Sequence, residues 1–220
     1  MAEALAHHRV FVTGGTGYLG QRLIPALLER GHSVRALARP GSERRLPSGC
    51  EAVPGDALDA ATFASQVAPA DTLVHLVGIS HPAPWKARQF REVDLASVRA
   101  SVAAAREASV RHMVYLSVAQ PAPVMQAYVA VRAECEALIR AAGIPATFVR
   151  PWYVLGPGHR WPIALIPFYA LAERLPGTRD TARRLGLVKL RQVIAALVRA
   201  VENPPVEAEI LGVEEIRGRG

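Results

Sequence analysis

Two short stretches carry residue types whose spacing could do chemistry. In "VTGGTGYLG", residues 12–20, Gly15, Gly17 and Gly20 satisfy GxGxxG, while Gly14, Gly17 and Gly20 satisfy GxxGxxG. The early glycines permit a tight turn, the middle one lets backbone approach a pyrophosphate, and the last lets a helix press closely on a strand. A helix opening at that point offers free N–H groups and partial positive charge to an anion. In "AYVAVRAECE", residues 127–136, Tyr128 and Arg132 stand one helical turn apart on a shared face. A guanidinium so placed favours tyrosinate, yet it cannot itself release a proton at useful pH. The plainer account of the same helix is an apolar stripe of Tyr128, Val131, Cys135, Leu138, Ile139 and Ala142. Beside it, Arg132, Glu136 and Arg140 would form a solvated salt-bridge ladder.

The elements that must position these residues alternate strand and helix. Strand-like runs fall at residues 9–14, 32–39, 50–56, 72–78, 112–117 and 146–151, and helix patterns at 18–30, 87–108 and 126–142. Alternation of this kind predicts an α/β fold, a parallel sheet with helices on both faces. Right-handed crossovers make it a doubly wound Rossmann sheet. After Trp152 the rhythm breaks in a stretch rich in proline and glycine, before a helix at 190–203 and a short strand at 209–213. We therefore expect a dinucleotide-binding core over 1–151 and a small C-terminal substrate lobe over 152–220, packed on the core and too short for a core of its own.

The glycine loop sits between a strand and a helix of one βαβ unit, the context that makes it a dinucleotide site. Its expected contacts are Gly14, Gly15, Thr16, Gly17, Tyr18, Leu19 and Gly20. No acid for ribose hydroxyls appears between Gly31 and Ser42; the second strand ends in Arg39 instead. Arg39, with Arg35 or Ser42 as helpers, suits a 2′-phosphate, so NADP is expected, with NAD as the alternative.

The chain of 220 residues is half apolar and one-fifth charged, enough for one ordinary core. Its net charge of +7 is spread over scattered arginines, with Lys86 and Lys189 the two lysines. No basic block interleaves with aromatics, so a nucleic-acid partner is not expected. Cys50 and Cys135 lie far apart, outside any CxxC or Cys/His cluster. That argues against a disulfide framework or a metal site and for a cytoplasmic location. The first strand-like run starts at Arg9, which argues against a signal peptide. The apolar run "WPIALIPFYALA", residues 161–172, is too short and proline-broken to span a bilayer. A pocket or core role is expected for it, with membrane-surface contact as the alternative.

On these residues the sequence resembles the short-chain dehydrogenase/reductase superfamily, in its extended and atypical branch of NAD-dependent epimerase/dehydratase-like and NmrA-like proteins. The likeness covers nearly the whole chain. "TGGTGYLG" resembles the branch's TGxxGxxG, and "RPWYVLGPG" (150–158) its RPxxxxGPG segment. The resemblance implies that the backbone after Pro151, Val154 included, faces the nicotinamide amide. It implies that Asp56 and Ala57 of "GDALD" meet the adenine, and that Val77 and Gly78 of "HLVG" line the cofactor. Asp94 of "VDLAS" takes the place of the family's asparagine. The family's Ser, Tyr, Lys reaction centre maps onto Ser117, Tyr128 and Arg132, with arginine departing from the lysine. Tyr128 would exchange a proton with the substrate oxygen, Ser117 would orient that oxygen, and Arg132 would hold the nicotinamide ribose.

Two functions compete. One is an NADP(H)-dependent oxidoreductase reducing a carbonyl or quinone-like group on an apolar small molecule. Trp85, Trp152, Trp161 and Phe168 would line its pocket, with His159 near the substrate. The other is an NADPH-binding sensor or accessory protein, similar to the NADPH-binding accessory subunit of respiratory complex I; the missing lysine favours it. A nucleotide-sugar epimerase or dehydratase fits least, because the late segment is short and apolar.

Overall fold

The computed structural model describes residues 7–158, 181 and 184–218. Seven parallel strands form one sheet in the order β3-β2-β1-β4-β5-β6-β9. They are β1 (Arg9–Thr13), β2 (Ser33–Ala38), β3 (Glu51–Pro54), β4 (Thr72–His75), β5 (His112–Leu116), β6 (Ala146–Val149) and β9 (Ala208–Leu211). A separate parallel pair, β7 (Tyr153–Leu155) and β8 (Leu187–Lys189), stands beside it. The helices are α1 (Gly20–Glu29), α2 (Ala87–Gln89), α3 (Ala96–Glu107), α4 (Gln126–Ala141), α5 (Leu190–Glu202) and α6 (Val213–Gly218). This is the doubly wound Rossmann fold that the alternation predicts.

Successive side chains of a strand point to opposite faces, so each central strand must feed two cores. Val10 and Val12 of β1 and Val114 of β5 join Leu23, Ile24 and Leu27 of α1 and Leu197 of α5 on one face. Phe11, Met113 and Tyr115 point the other way, onto Val98 of α3 and Val131, Cys135 and Ile139 of α4. The spacings 23, 24, 27 on α1 and 131, 135, 139 on α4 are those of an apolar helix stripe. Strand order reverses between β1 and β4. The loops after these two strands therefore diverge and open a crevice at their C-terminal ends.

The structure departs from the expected layout in two places. Residues 190–211, assigned to a C-terminal lobe, are built into the core: β9 pairs with β6, and α5 packs against α1. Their apolar stripe leaves them no other way to bury Val193, Ala196, Leu197 and Val201. The helix expected at 87–108 is interrupted by a π turn over Phe90–Leu95, between α2 and α3. That wider turn buries Phe90, Asp94 and Leu95 together. No helix among the described residues is long and apolar enough to cross a membrane. The apolar run 161–172, with Trp161 and Phe168, and His159 lie outside the described residues.

If α5 belongs to the core, Leu197→Ala will destabilise the fold by about 2–5 kcal/mol, the range for truncating a buried leucine. Urea unfolding should show a lower midpoint at unchanged slope. A loss under about 0.5 kcal/mol, as for a surface site, would separate α5 from the core.

Candidate functional site

The loop after β1 turns on a Gly17 N–H to Gly14 C=O hydrogen bond of 3.0 Å. Gly14 adopts φ +80°, and a Cβ there would sit 2.8 Å from the carbonyl carbon of Leu76. A Cβ on Gly20 would come within 2.6 Å of Gly15 Cα, so α1 can lie hard against the loop only with glycine at its start. The opening of α1 has no side-chain cap and no acidic residue in its first turn. The Gln21, Arg22 and Leu23 N–H groups bond the Gly17 and Leu19 carbonyls, so what α1 offers an anion is chiefly its unopposed dipole. A cleft of about 330 Å³ runs from Gly14, Thr16 and Gly17 to Arg39 on one side and Asp56 and Ala57 on another, floored by Val77 and Gly78. This glycine cradle and uncapped helix fit a dinucleotide pyrophosphate.

Arg39 is exposed at the end of β2, on the lip of that cleft. Arg35 is not available to help it. Its guanidinium is spent on the carbonyls of Gln66 and Ala68 and on Glu51. Ser42 instead donates to the Arg39 carbonyl at 2.6 Å. The sequence reading missed Arg45, which reaches the Thr16 carbonyl of the loop at 3.4 Å. The pair Arg44-Arg45 signals a basic turn, but only the fold shows that it leans over the loop.

The second half of the site is carried by α4. Arg132 is only 4% exposed, and it is neither solvated nor paired with Glu136. Its Nη2 lies 2.6 Å from Asp94 Oδ1, an ion pair that is short but poorly aligned as a hydrogen bond. Nη1 donates to the Tyr115 hydroxyl at 3.1 Å and the Leu116 carbonyl at 2.8 Å. Asp94, fully buried, also accepts from the Ile79 N–H at 3.2 Å. The π turn is what aims this carboxylate inward. A Cβ on Gly78 would collide with Arg132 Nη2, so the guanidinium occupies the space that any larger residue at 78 would take.

Tyr128 packs at a tilt against Phe90 of the π turn with ring centroids 5.0 Å apart, and the Arg132 guanidinium lies 5.1 Å from its ring centroid. Burial pushes its phenol above the ordinary value, and Arg132 pulls the other way. His75 is fully buried and meets Thr13 and Ser101 at 2.9 Å each. Burial, helped by the Arg132 charge, lowers it to about 3, so it stays neutral.

Ser117 follows β5 and is 4% exposed. Its hydroxyl donates to Glu136 Oε1 at 2.6 Å. Glu136 is equally buried, and Arg150 grips it through Nε at 2.8 Å and Nη2 at 2.5 Å. The expected ladder of Arg132, Glu136 and Arg140 thus dissolves into two separate buried ion pairs and an exposed Arg140, whose guanidinium lies 4.5 Å from the Phe148 ring centroid. Sequence spacing placed Glu136 next to Arg132 and gave no sign that Arg150 would claim it.

A second cavity of about 430 Å³ has largely apolar walls. Tyr18 and Leu19 of the loop, Ser117, Tyr128, Pro151 and Val154 all face it. Trp152 lines it as expected, whereas Trp85 is 83% exposed and does not. Among the described residues no cluster of His, Cys, Asp and Glu could hold a metal.

Residues 14–160 match the family described as NAD(P)H-binding. The chain is similar to a ceramide reductase of Caulobacter vibrioides, 30% identical over 212 residues, covering 94% of this chain and 63% of that protein. It is also similar to a 4-hydroxy-2-methyl-3-oxo-4-farnesyl-3,4-dihydroquinoline-1-oxide ketoreductase of Stigmatella aurantiaca, 31% identical over 170 residues, covering 67% of this chain and 51% of that protein. The chain therefore spans between about half and two-thirds of the length of these relatives. Among solved structures, the Bordetella bronchiseptica enzyme WbmH in complex with NAD+ superimposes with a TM-score of 0.70 at 20% identity, over 94% of this chain and 76% of that one. That likeness concerns the fold.

The interlock of Gly78 and Arg132 can be checked directly. Gly78→Ala should lower the melting temperature and weaken NAD(P)H binding at least tenfold, because the methyl displaces a buried, ion-paired guanidinium. In an Arg132→Lys background the same alanine should cost much less. Equal costs in both backgrounds, by calorimetry and cofactor titration, would disprove the interlock.

Proposed function

The chain belongs to the NAD(P)H-binding family, and we propose that it acts as an NADPH-dependent reductase of a carbonyl or quinone-like group on an apolar small molecule. One observation carries this reading: the phosphate loop and Tyr128 open onto a single apolar cavity of about 430 Å³. The names of its curated relatives support it, since both are reductases. The bound dinucleotide would supply the hydride that adds to the carbonyl carbon. As the carbonyl π electrons move onto oxygen, Tyr128 gives that oxygen its phenolic proton and water later returns one to the tyrosinate. A phenol raised by burial is protonated at neutral pH, the state a donor needs. The Arg132 charge, 5.1 Å from the ring centroid, then stabilises the tyrosinate left behind. Arg132 acts from beneath, through charge, because it is buried, with Nη1 committed to Tyr115 and Leu116 and Nη2 paired with Asp94. Contact with a ribose would run through Gly78, which lies over it. Two widely separated cysteines, both free, support a cytosolic setting.

A second reading, a binding protein that holds NADPH without turnover, is favoured by the same commitments. Arg132 is locked to Asp94, and the Ser117 proton to Glu136. Single-turnover oxidation of bound NADPH by apolar ketones and quinones decides between the two. The reductase reading expects oxidation by wild type. Tyr128→Phe should slow it about 10²–10⁴-fold, as for loss of a general acid, with NADPH affinity unchanged. Tight NADPH binding with no transfer to any acceptor would establish the second reading.

Arg39 supports NADP over NAD, because its exposed guanidinium can take a 2′-phosphate. Arg39→Ala should weaken NADPH binding about tenfold or more, corresponding to about 1.4 kcal/mol, and leave NADH binding within twofold. Equal losses for both cofactors, read by fluorescence titration, would remove Arg39 from that role.

A further inference from the structure

The direction of one hydrogen bond constrains the substrate. Ser117 has a single proton, and it faces a carboxylate, which only accepts. The Glu136 carboxylate is fixed from other sides by Arg150 (2.8 and 2.5 Å) and by Gln120 Nε2 (2.9 Å). Ser117 itself is pinned, its N–H bonded to the Val149 carbonyl at 2.8 Å and the Ala119 N–H to the Pro151 carbonyl at 3.0 Å. Turning the hydroxyl toward a ketone would exchange a charge-assisted bond for a neutral one about half as strong. Ser117 nevertheless lines the same apolar cavity as Tyr128. What it can present there is an oxygen lone pair.

We propose that Ser117 meets the substrate as a hydrogen-bond acceptor, and that the preferred substrate carries a donor, a hydroxyl or an N–H, on the carbon next to the reducible carbonyl. This rests on the reductase reading above. Tyr128 alone then protonates the carbonyl oxygen, and Ser117 holds the neighbouring group so that the carbonyl faces the hydride. Glu136 is a positioning residue that acts through Ser117. A ketone without such a donor leaves the serine lone pair desolvated and unpaired, which is the usual origin of strong discrimination by a buried polar group.

The test uses two ketones of matched shape, 2-hydroxyacetophenone and propiophenone, with NADPH and the full chain. Wild type should favour the hydroxyketone by about tenfold or more in kcat/KM. Ser117→Ala should bring the ratio close to one, Ser117→Thr should restore it, and Glu136→Gln should reduce it, because an amide can donate to Ser117 and turn its proton outward. Should Glu136→Gln fail to fold, the two Ser117 variants still decide. A wild-type ratio near one, or an unchanged ratio in Ser117→Ala with both ketones slowed alike, would overturn the proposal and return Ser117 to the role of carbonyl donor. Silence toward these and all other carbonyl acceptors would overturn the reductase reading, and this inference with it. Turnover without preference would overturn this inference alone.

Discussion

A guanidinium that is 4% exposed has to be neutralised and bonded from within the protein, and much of this site can be understood as the answer to that demand. Asp94 supplies the opposite charge, Tyr115 and Leu116 accept from Nη1, and Gly78 gives up its side chain to leave room. Burial pushes the Asp94 carboxyl up while Arg132 pulls it down. Breaking such a pair by removing one partner costs about 3–5 kcal/mol, because the other charge is left stranded. The same cation adds to the burial that keeps His75 neutral, and it sits under Tyr128. One buried charge therefore ties the loop after β4, the π turn, β5 and α4 together.

Helix α4 is the beam of this arrangement. Tyr128, Arg132 and Glu136 repeat every four residues along one side, yet each meets a different neighbour: the cavity, the π turn and the segment after β6. The beam starts from a strained joint, since Met125 just before it is left-handed at φ 57° without being glycine. Met125 also lines the apolar cavity, so the backbone is bent where the cavity wall is made.

The architecture was readable because it depends on periodicity. Alternation by two in the strands and by three to four in the helices is written locally, and the glycine loop has a steric reason at each position. Gly14, Gly17 and Gly20 sit where backbone crowds backbone. What was not readable depends on distant partners. Arg150 lies 14 residues from Glu136, and the return of the chain from α4 through β6 brings them together. Arg35 looks as suitable for a phosphate as Arg39 until the carbonyls of Gln66 and Ala68 are seen to hold it. Strand β9 has three exposed residues of four, a weak pattern that hid its place in the main sheet. The C-terminal segment thus read as a small lobe packed on the core, although α5 helps to fill the core itself against α1.

The π turn at Phe90–Leu95 contains a consequence for how this chain tolerates changes of length. An α-helix advances about 100° per residue, and a π turn absorbs one residue more than an α-turn does. The inward aim of Asp94 is therefore stored in a count of residues rather than in the identity of any one of them. Deleting a single residue between 90 and 95 would let α2 and α3 run on as one regular helix. It would also swing the carboxylate roughly a quarter-turn away from Arg132. Within this element a substitution is a local event, but an insertion or deletion is a change of phase.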